Sequence, residues 1–236
     1  MVEGAGAATR HVLHRLAAHV LGRRRYAVAG RFGLRASPGG FATPAFGEGP
    51  EVIRVAGTCL VREVAGVSTQ MAIAGASLRQ LAAFAGANLE IAFSAGQETP
   101  EMGDTDDALN LGARQARRLA DWYRLGWLAL DEVLASMPPE AQPATIQLWP
   151  EHFDAGTHVG LVSGERVNLG FSPGDGYEPE PYVYVGPWSA ERGGDPAFWN
   201  APFGAVLRAS DVTSSPDKVQ ACVGFLRTGI ANASEP

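Results

Sequence analysis

The densest concentration of reactive side chains in this chain is Leu148-Trp149-Pro150-Glu151-His152-Phe153-Asp154, followed by His158, Asp175, Glu178 and Glu180. A histidine with a carboxylate two positions away can share one face of a strand, because successive strand side chains alternate sides. Such a pair can relay a proton, with His152 as acid or base, Asp154 as its orienter and Asp175 as a second carboxylate. The same three residues offer the nitrogen and oxygen donors that suit zinc, iron or manganese. Their spacing matches no established metal motif, however, so the reading assigns no metal and no cofactor. The structural alternative is that Asp154 caps a turn and His152 is a packed residue with satisfied nitrogens.

Ser172-Pro173-Gly174-Asp175 invites a nucleophile reading, with Ser172, His152 and Asp175 as a triad. It lacks the Gly-x-Ser-x-Gly elbow of a hydrolase serine. Ser-Pro-Gly is first of all turn chemistry, in which Ser and Asp bond nearby backbone groups. The string also repeats. Arg31-Phe-Gly-Leu-Arg-Ala-Ser37-Pro38-Gly39-Gly40 returns as Arg166-Val-Asn-Leu-Gly-Phe-Ser172-Pro173-Gly174-Asp175, with no gap. Only the second copy carries an acid after the glycine and follows a histidine, so the second copy is where a site is expected.

Aromatic residues crowd the same region: Tyr177, Tyr182, Tyr184, Trp188, Phe198 and Trp199. Tyr and Trp join an apolar body to a polar handle and line ligand clefts as readily as cores. Tyr182, Tyr184 and Trp188 are the candidate substrate-binding residues, with Tyr182 and Tyr184 on one strand face. Elsewhere His11, His14 and His19 accompany Arg10 and Arg15, a pattern read as a solvated helix face. Arg23-Arg24-Arg25 is read as a helix C-terminus complementing the dipole. Gly30-x-x-Gly33 and Gly39-Gly40 open no helix, so no nucleotide-binding motif is present.

The elements that must position these residues follow from periodicity. Thr9 can cap a helix over 10–22, and Tyr26, Val28, Phe32, Leu34 and Ala36 alternate as a strand ended by Ser37-Pro-Gly-Gly. Strands are expected at 51–56, 58–64 and 68–73, then a short helix from Leu78 to about Gly86. Residues 96–107 read as a linker. A long helix follows over about 107–136, closed by Pro138-Pro139, with Gly126 in its interior where another element must approach closely. The second half gives strands at 145–149, 157–162, 166–171, 182–186 and 203–208. Ser215-Pro216-Asp217, with Ser215 as cap and Pro216 in the first turn, then starts a last helix, running to about Gly229, with a frayed tail after it. Sequential antiparallel strands with segregated helices make an α+β fold. The chain is expected to be one globular unit, 1–236, of two helix–meander–helix halves (about 9–100 and 107–231) related as a pseudo-twofold internal duplication.

Composition narrows the partners. A net charge of −6 argues against nucleic acid, which needs a concentrated positive field. No apolar stretch approaches the ~20 residues of a membrane span, and the first residues show no basic region followed by an apolar core. Cys59 and Cys222 lie in apolar runs and read as buried free thiols. Cytoplasmic localisation is the expectation. The single lysine, Lys218, among 19 basic residues reflects GC-rich coding.

Three strings, Gly30-Arg-Phe-Gly-Leu-Arg-Ala-Ser-Pro-Gly-Gly-Phe41, Leu148–Asp154 and Pro181-Tyr-Val-Tyr-Val-Gly-Pro-Trp188 with Phe198-Trp-Asn-Ala-Pro-Phe203, resemble a family of actinobacterial proteins of unknown function. The resemblance spans nearly the whole chain. It implies a bacterial source and the unity of the chain, and no activity.

Taken together, these features describe a small-molecule-binding α+β protein, with cofactor-independent acid/base or hydrolytic chemistry at the second meander as its enzymatic form. The competing class is a non-catalytic interaction protein that forms a homodimer through a sheet edge or helix face. A metal-dependent enzyme using His152, Asp154 and Asp175 is the third.

Overall fold

The computed structural model of the chain describes residues 2–235 and has an α+β fold with two antiparallel five-stranded sheets. The first sheet orders β1 (Arg35–Ser37), β2 (Gly40–Ala42), β3 (Glu51–Ala56), β4 (Cys59–Val64) and β5 (Val67–Ala72) in sequence. The second does the same with β6 (Gln147–Trp149), β7 (Asp154–Gly160), β8 (Arg166–Ser172), β9 (Tyr182–Pro187) and β10 (Ala205–Arg208). Both are therefore meanders with equal strand number. The two Ser-Pro-Gly turns end the first strand of one sheet and the third strand of the other.

The chain divides into two compact units, Met1–Tyr123 with Leu148–Phe153, and Arg124–Gln147 with Asp154–Pro236. The first opens on α1 (Val2–Leu16), passes through a π-helical segment, Ala17–Gly22, and continues as α2 (Arg23–Ala29). Thr9 is thus helix interior rather than a cap, and its hydroxyl accepts the Gly112 N–H at 3.2 Å. The strand expected from Tyr26 is instead the last turn of α2. Gly30 ends that helix in the left-handed region, φ 64°, returning its N–H to the Tyr26 carbonyl at 2.8 Å. The apparent alternation of Tyr26, Val28, Phe32 and Leu34 joined a helix end to the segment after it. Arg23-Arg24-Arg25 consequently starts α2 and does not close a helix.

Ser77 caps α3 (Leu78–Ala85) in a reciprocal capping box with Gln80, and Gly86 closes it at φ 71°. A segment without helix or strand then runs from Gly86 to Gly112 before α4 (Ala113–Ala135). α4 starts later than the acidic run at 104–107 suggests, because Asp104 instead caps a turn through Asp106 N–H at 2.8 Å.

The histidines expected in solvent are partly enclosed. His11 is exposed, but His19 is buried and His14 stacks on Phe153 with ring centroids 5.0 Å apart and planes within 7°. The His14 Nε2–H donates to the carbonyls of Pro150 and Glu151 at 2.9 and 3.0 Å. What covers these residues comes from 86–112 and 150–153, far along the chain. Burial lowers the His14 pKa from 6.5 to about 4, outweighing the two carbonyls that favour the charged ring. A folded-state pKa below the unfolded value means the unfolded chain takes up the proton first. Stability is then complete above about pH 6.5 and falls toward about pH 4, by roughly 2–3 kcal/mol from His14. Urea melts across that range are expected to show the decline, and His14→Gln to flatten it. An unchanged slope in that variant would refute the assignment.

In the second unit α4 contributes its C-terminal half. Gly126 is the close approach foreseen from sequence: a Cβ there would fall 2.6 Å from Phe171 Cγ. α6 (Lys218–Ser234) does the same with Gly229, whose Cβ would meet Val185 Cγ2 at 2.6 Å. These helices cover the face carrying Val167, Leu169, Phe171, Val183 and Val185, which are all buried. A short α5 (Ala209–Ser214), absent from the sequence reading, precedes α6. The cap of α6 is Asp217, accepting Gln220 N–H at 3.1 Å, and Ser215 lies outside the helix. The tail is helical through Ser234, and Asn232 is tied down, its amide oxygen accepting Asp195 N–H at 2.6 Å. Pro236 lies outside the described residues.

Cys59 is half-buried and Cys222 buried, both free; burial pushes the Cys222 thiol up to about 12. Among the described residues no helix is long and apolar enough to cross a membrane.

Candidate functional site

Alternation puts Gly156 of β7, Gly170 and Ser172 of β8, and Tyr182 and Tyr184 of β9 on the face opposite the valines. Register then lines them up: Gly156 pairs with Gly170, Gly170 with Tyr184, and Ser172 with Tyr182. The consequence is steric. Two glycines side by side leave a trough across two strands, and the Tyr184 ring lies in it. A Cβ on Gly170 would fall 2.3 Å from Tyr184 Cζ, and one on Gly156 would fall 3.0 Å from its hydroxyl. Reaching along this trough, the Tyr184 hydroxyl donates to Asp154 Oδ2.

Tyr182 makes the parallel contact from the next position on the same face. Its hydroxyl donates to Asp175 Oδ2, which also accepts from Ser172 Oγ at 3.3 Å. Asp175 Oδ1 accepts the N–H groups of Tyr177 and Glu178 at 2.8 and 3.1 Å, and Ser172 Oγ accepts Gly174 N–H at 3.1 Å. All four acceptor positions of Asp175 are therefore in use, two on backbone and two on hydroxyls. This is the turn chemistry that Ser-Pro-Gly-Asp suggested, extended to a tyrosine.

Both phenols resist ionisation. Burial, and then the Asp175 carboxylate, hold the Tyr182 pKa above the ordinary tyrosine value. Burial and the charge of Asp154 likewise hold the Tyr184 pKa well above the ordinary tyrosine value. Over the whole working pH range these are neutral donors to carboxylates, and neither can serve as a base.

The aromatic surface continues outward. Tyr182, Ala201 and Val206 form a small buried cluster with Tyr184 against it. Tyr177 packs edge-on to Tyr182 at 6.1 Å and to Phe203 at 5.0 Å, and both outer rings stay open to solvent, 43% and 40% exposed. Glu178, beside Asp175 in the turn, pairs with Arg208 at 2.7 Å.

Four of the six sequence-predicted residues thus come together in two Tyr–Asp pairs: Asp154 with Tyr184, and Asp175 with Tyr182. Trp188 lies at the far end of β9, where its indole N–H donates to Asn168 at 2.8 Å and Arg166 stacks over the ring at 5.9 Å. Arg166 also donates to His158 Nδ1 at 2.8 Å, so that imidazole carries its proton on Nε2 and burial lowers its pKa. His152 belongs to the first unit. Its Nδ1 meets Glu98 at 3.1 Å and its Nε2 lies 3.7 Å from Glu151. The Glu151 carboxyl fills the place a side chain on Gly96 would take, 1.9 Å from that Cβ position. Among the described residues no three His, Cys, Asp or Glu are placed to hold a metal ion.

From sequence, Gly156, Gly170 and Phe203 were given no part in the site. The two glycines carry a signal, since each interrupts an otherwise good strand and such glycines mark close approach. Phe203 carries none, being one apolar residue in a loop.

Comparison with protein-family models, with curated proteins and with solved structures returned no match, so the chemistry of this face rests on its geometry.

Proposed function

We propose, from geometry alone, that the protein binds a small organic cation on the Tyr–Asp face of its second unit and does not turn it over. The observation that carries this reading is Asp175: an exposed carboxylate whose partners are all neutral donors, beside the open rings of Tyr177 and Phe203. Its lone pairs are occupied but its charge is not neutralised, and aromatic faces attract cations through the ring quadrupole. An ammonium stacked on these rings within reach of Asp175 satisfies both. Asp154 and the two phenols then serve to fix the rings that form the wall.

Acid/base turnover draws less support. Asp175 has no free acceptor position to take a proton, the phenols stay protonated, and His152 is engaged with Glu98 and Glu151.

Titration with benzyltrimethylammonium, followed by NMR, is expected to shift resonances of Tyr177, Phe203 and the 173–178 turn, while neutral benzyl alcohol leaves them in place. Asp175→Asn keeps the Oδ1 acceptor of the turn and removes the charge, so it should weaken binding about tenfold or more, a cation–carboxylate loss of about 1–2 kcal/mol. Equal responses to the cation and the alcohol would sink the proposal.

A further inference from the structure

The helical start of the first unit carries a second, unrelated anomaly. Arg15, His19 and Arg23 follow one another at four-residue spacing through the π-helical segment, and all three are buried, at 8%, 3% and 4% exposure. π-helical turns are uncommon and recur at functional sites. Burial and the flanking arginines hold His19 toward its neutral form, and the two buried arginines would normally face carboxylates. Here the hydrogen-bond partners are backbone carbonyls from the 86–112 segment. Arg15 Nη2 donates to Asp104 O at 2.8 Å, and His19 Nε2 to Pro100 O at 2.5 Å. Arg23 Nη1 donates to the carbonyls of Asn88, Leu89 and Ile91. Its Nη2 faces the thioether of Met102 at 3.8 Å, a weak acceptor, and its guanidinium carbon lies over the Phe93 ring, 5.3 Å from the centroid.

The set is also incompletely satisfied. Among the described residues, Arg15 Nε, His19 Nδ1 and Arg23 Nε are buried without a hydrogen-bond partner. Asp104 and Asp107 act on Arg15 through charge, whereas no acidic group offsets the burial that lowers Arg23. A buried polar atom left unpaired costs about 1–3 kcal/mol, more when charged, so the two unpaired guanidinium N–H groups call for an explanation; His19 Nδ1, on a ring whose Nε2 carries the proton, is an acceptor and is not part of it. The covering segment supplies the other half of that explanation. From Gly86 to Gly112 it has no helix or strand, a length uncommon for loops in compact domains and shared by lids, binding loops and linkers.

We infer that Arg15, His19 and Arg23 form an oxyanion-binding site, and that the 86–112 strap occupies it with its own carbonyl oxygens until a phosphate- or carboxylate-bearing small molecule replaces them. The guanidinium forks suit a tetrahedral or planar oxyanion, which can take several N–H groups at once where a carbonyl takes one or two. The anion supplies the charge that Arg23 lacks. Displacement of the strap is the conformational price of binding.

Calorimetry on the full chain in low-salt buffer, with inorganic phosphate in one arm and acetate in the other, tests the site and separates the two ligand sources. Saturable binding of either is expected, reduced at least tenfold in both Arg15→Gln and Arg23→Gln. Hydrogen exchange on the wild-type chain reads the strap without any variant: the bound anion is expected to speed exchange of the amides at 88–104. Absence of saturable binding in both arms overturns the site. Binding that survives both substitutions overturns the assignment to these residues, and binding with unchanged exchange at 88–104 overturns the strap's role.

Discussion

Gly170→Ala is expected to destabilise the second unit by about 3 kcal/mol, at the upper end of what overpacking costs, because the new methyl collides with a ring that cannot simply turn aside. The added Cβ would lie 2.3, 2.4 and 2.6 Å from Tyr184 Cζ, Oη and Cε1. If the ring leaves the trough, Asp154, which is buried, loses the phenol that donates to it. Urea denaturation of Gly170→Ala, Tyr184→Ala and the double variant separates the causes. The glycine substitution should cost far less once the ring is gone, giving a coupling of about 1–2 kcal/mol between two contacting residues. Additive losses would mean that the glycine serves the backbone and not the tyrosine.

Glu51→Ala is the second large effect, expected at about 3 kcal/mol because it strands two buried-side cations at once. The Glu51 side chain is 6% exposed and takes Arg24 Nη2 at 2.9 Å and Arg62 Nε at 2.8 Å. Those arginines reach on to the end of α3: Arg24 to the Gly86 carbonyl at 3.3 Å and Arg62 to that of Phe84 at 3.5 Å. One carboxylate therefore fixes the cations that complement a helix C-terminus. Arg24→Ala or Arg62→Ala alone should cost less, since Glu51 keeps one partner. Thermal melts showing either arginine variant to be worse than Glu51→Ala would contradict this ordering.

Local pattern was enough for some elements and not for others. β3, α3, β8 and β9 fall within a residue or two of where periodicity puts them, because their signals are local: period-two alternation, the Ser77–Gln80 box, the left-handed Gly86. Tyr182 and Tyr184 could be put on one face for the same reason. Their carboxylate partners could not be assigned, since the Tyr184–Asp154 contact depends on the register that aligns Gly156, Gly170 and Tyr184. Arg15 and His19 read as part of a solvated helix face, and Arg23 as a helix C-terminus, because these residue types favour water and helix ends. What buries them lies 65 to 89 residues further on, and no helical period reports that.

The way the chain alternates between its two units bears on how it is made. The first unit takes in Leu148–Phe153, a short return after the chain has already entered the second. That return supplies the carbonyls of Pro150 and Glu151 for His14, the ring of Phe153 that stacks on it, and the Phe153 carbonyl that accepts the Tyr123 hydroxyl. On the ribosome, then, the first 123 residues lack part of their own interior until residue 153 has been added. No single cut yields both units intact: one after residue 123 deprives the first of 148–153, and one after 153 deprives the second of 124–147. Fragments ending near residue 123 would lack the Phe153 ring and carbonyl that their interior uses, and both units are completed only when the junctions at 123–124 and 153–154 stay unbroken.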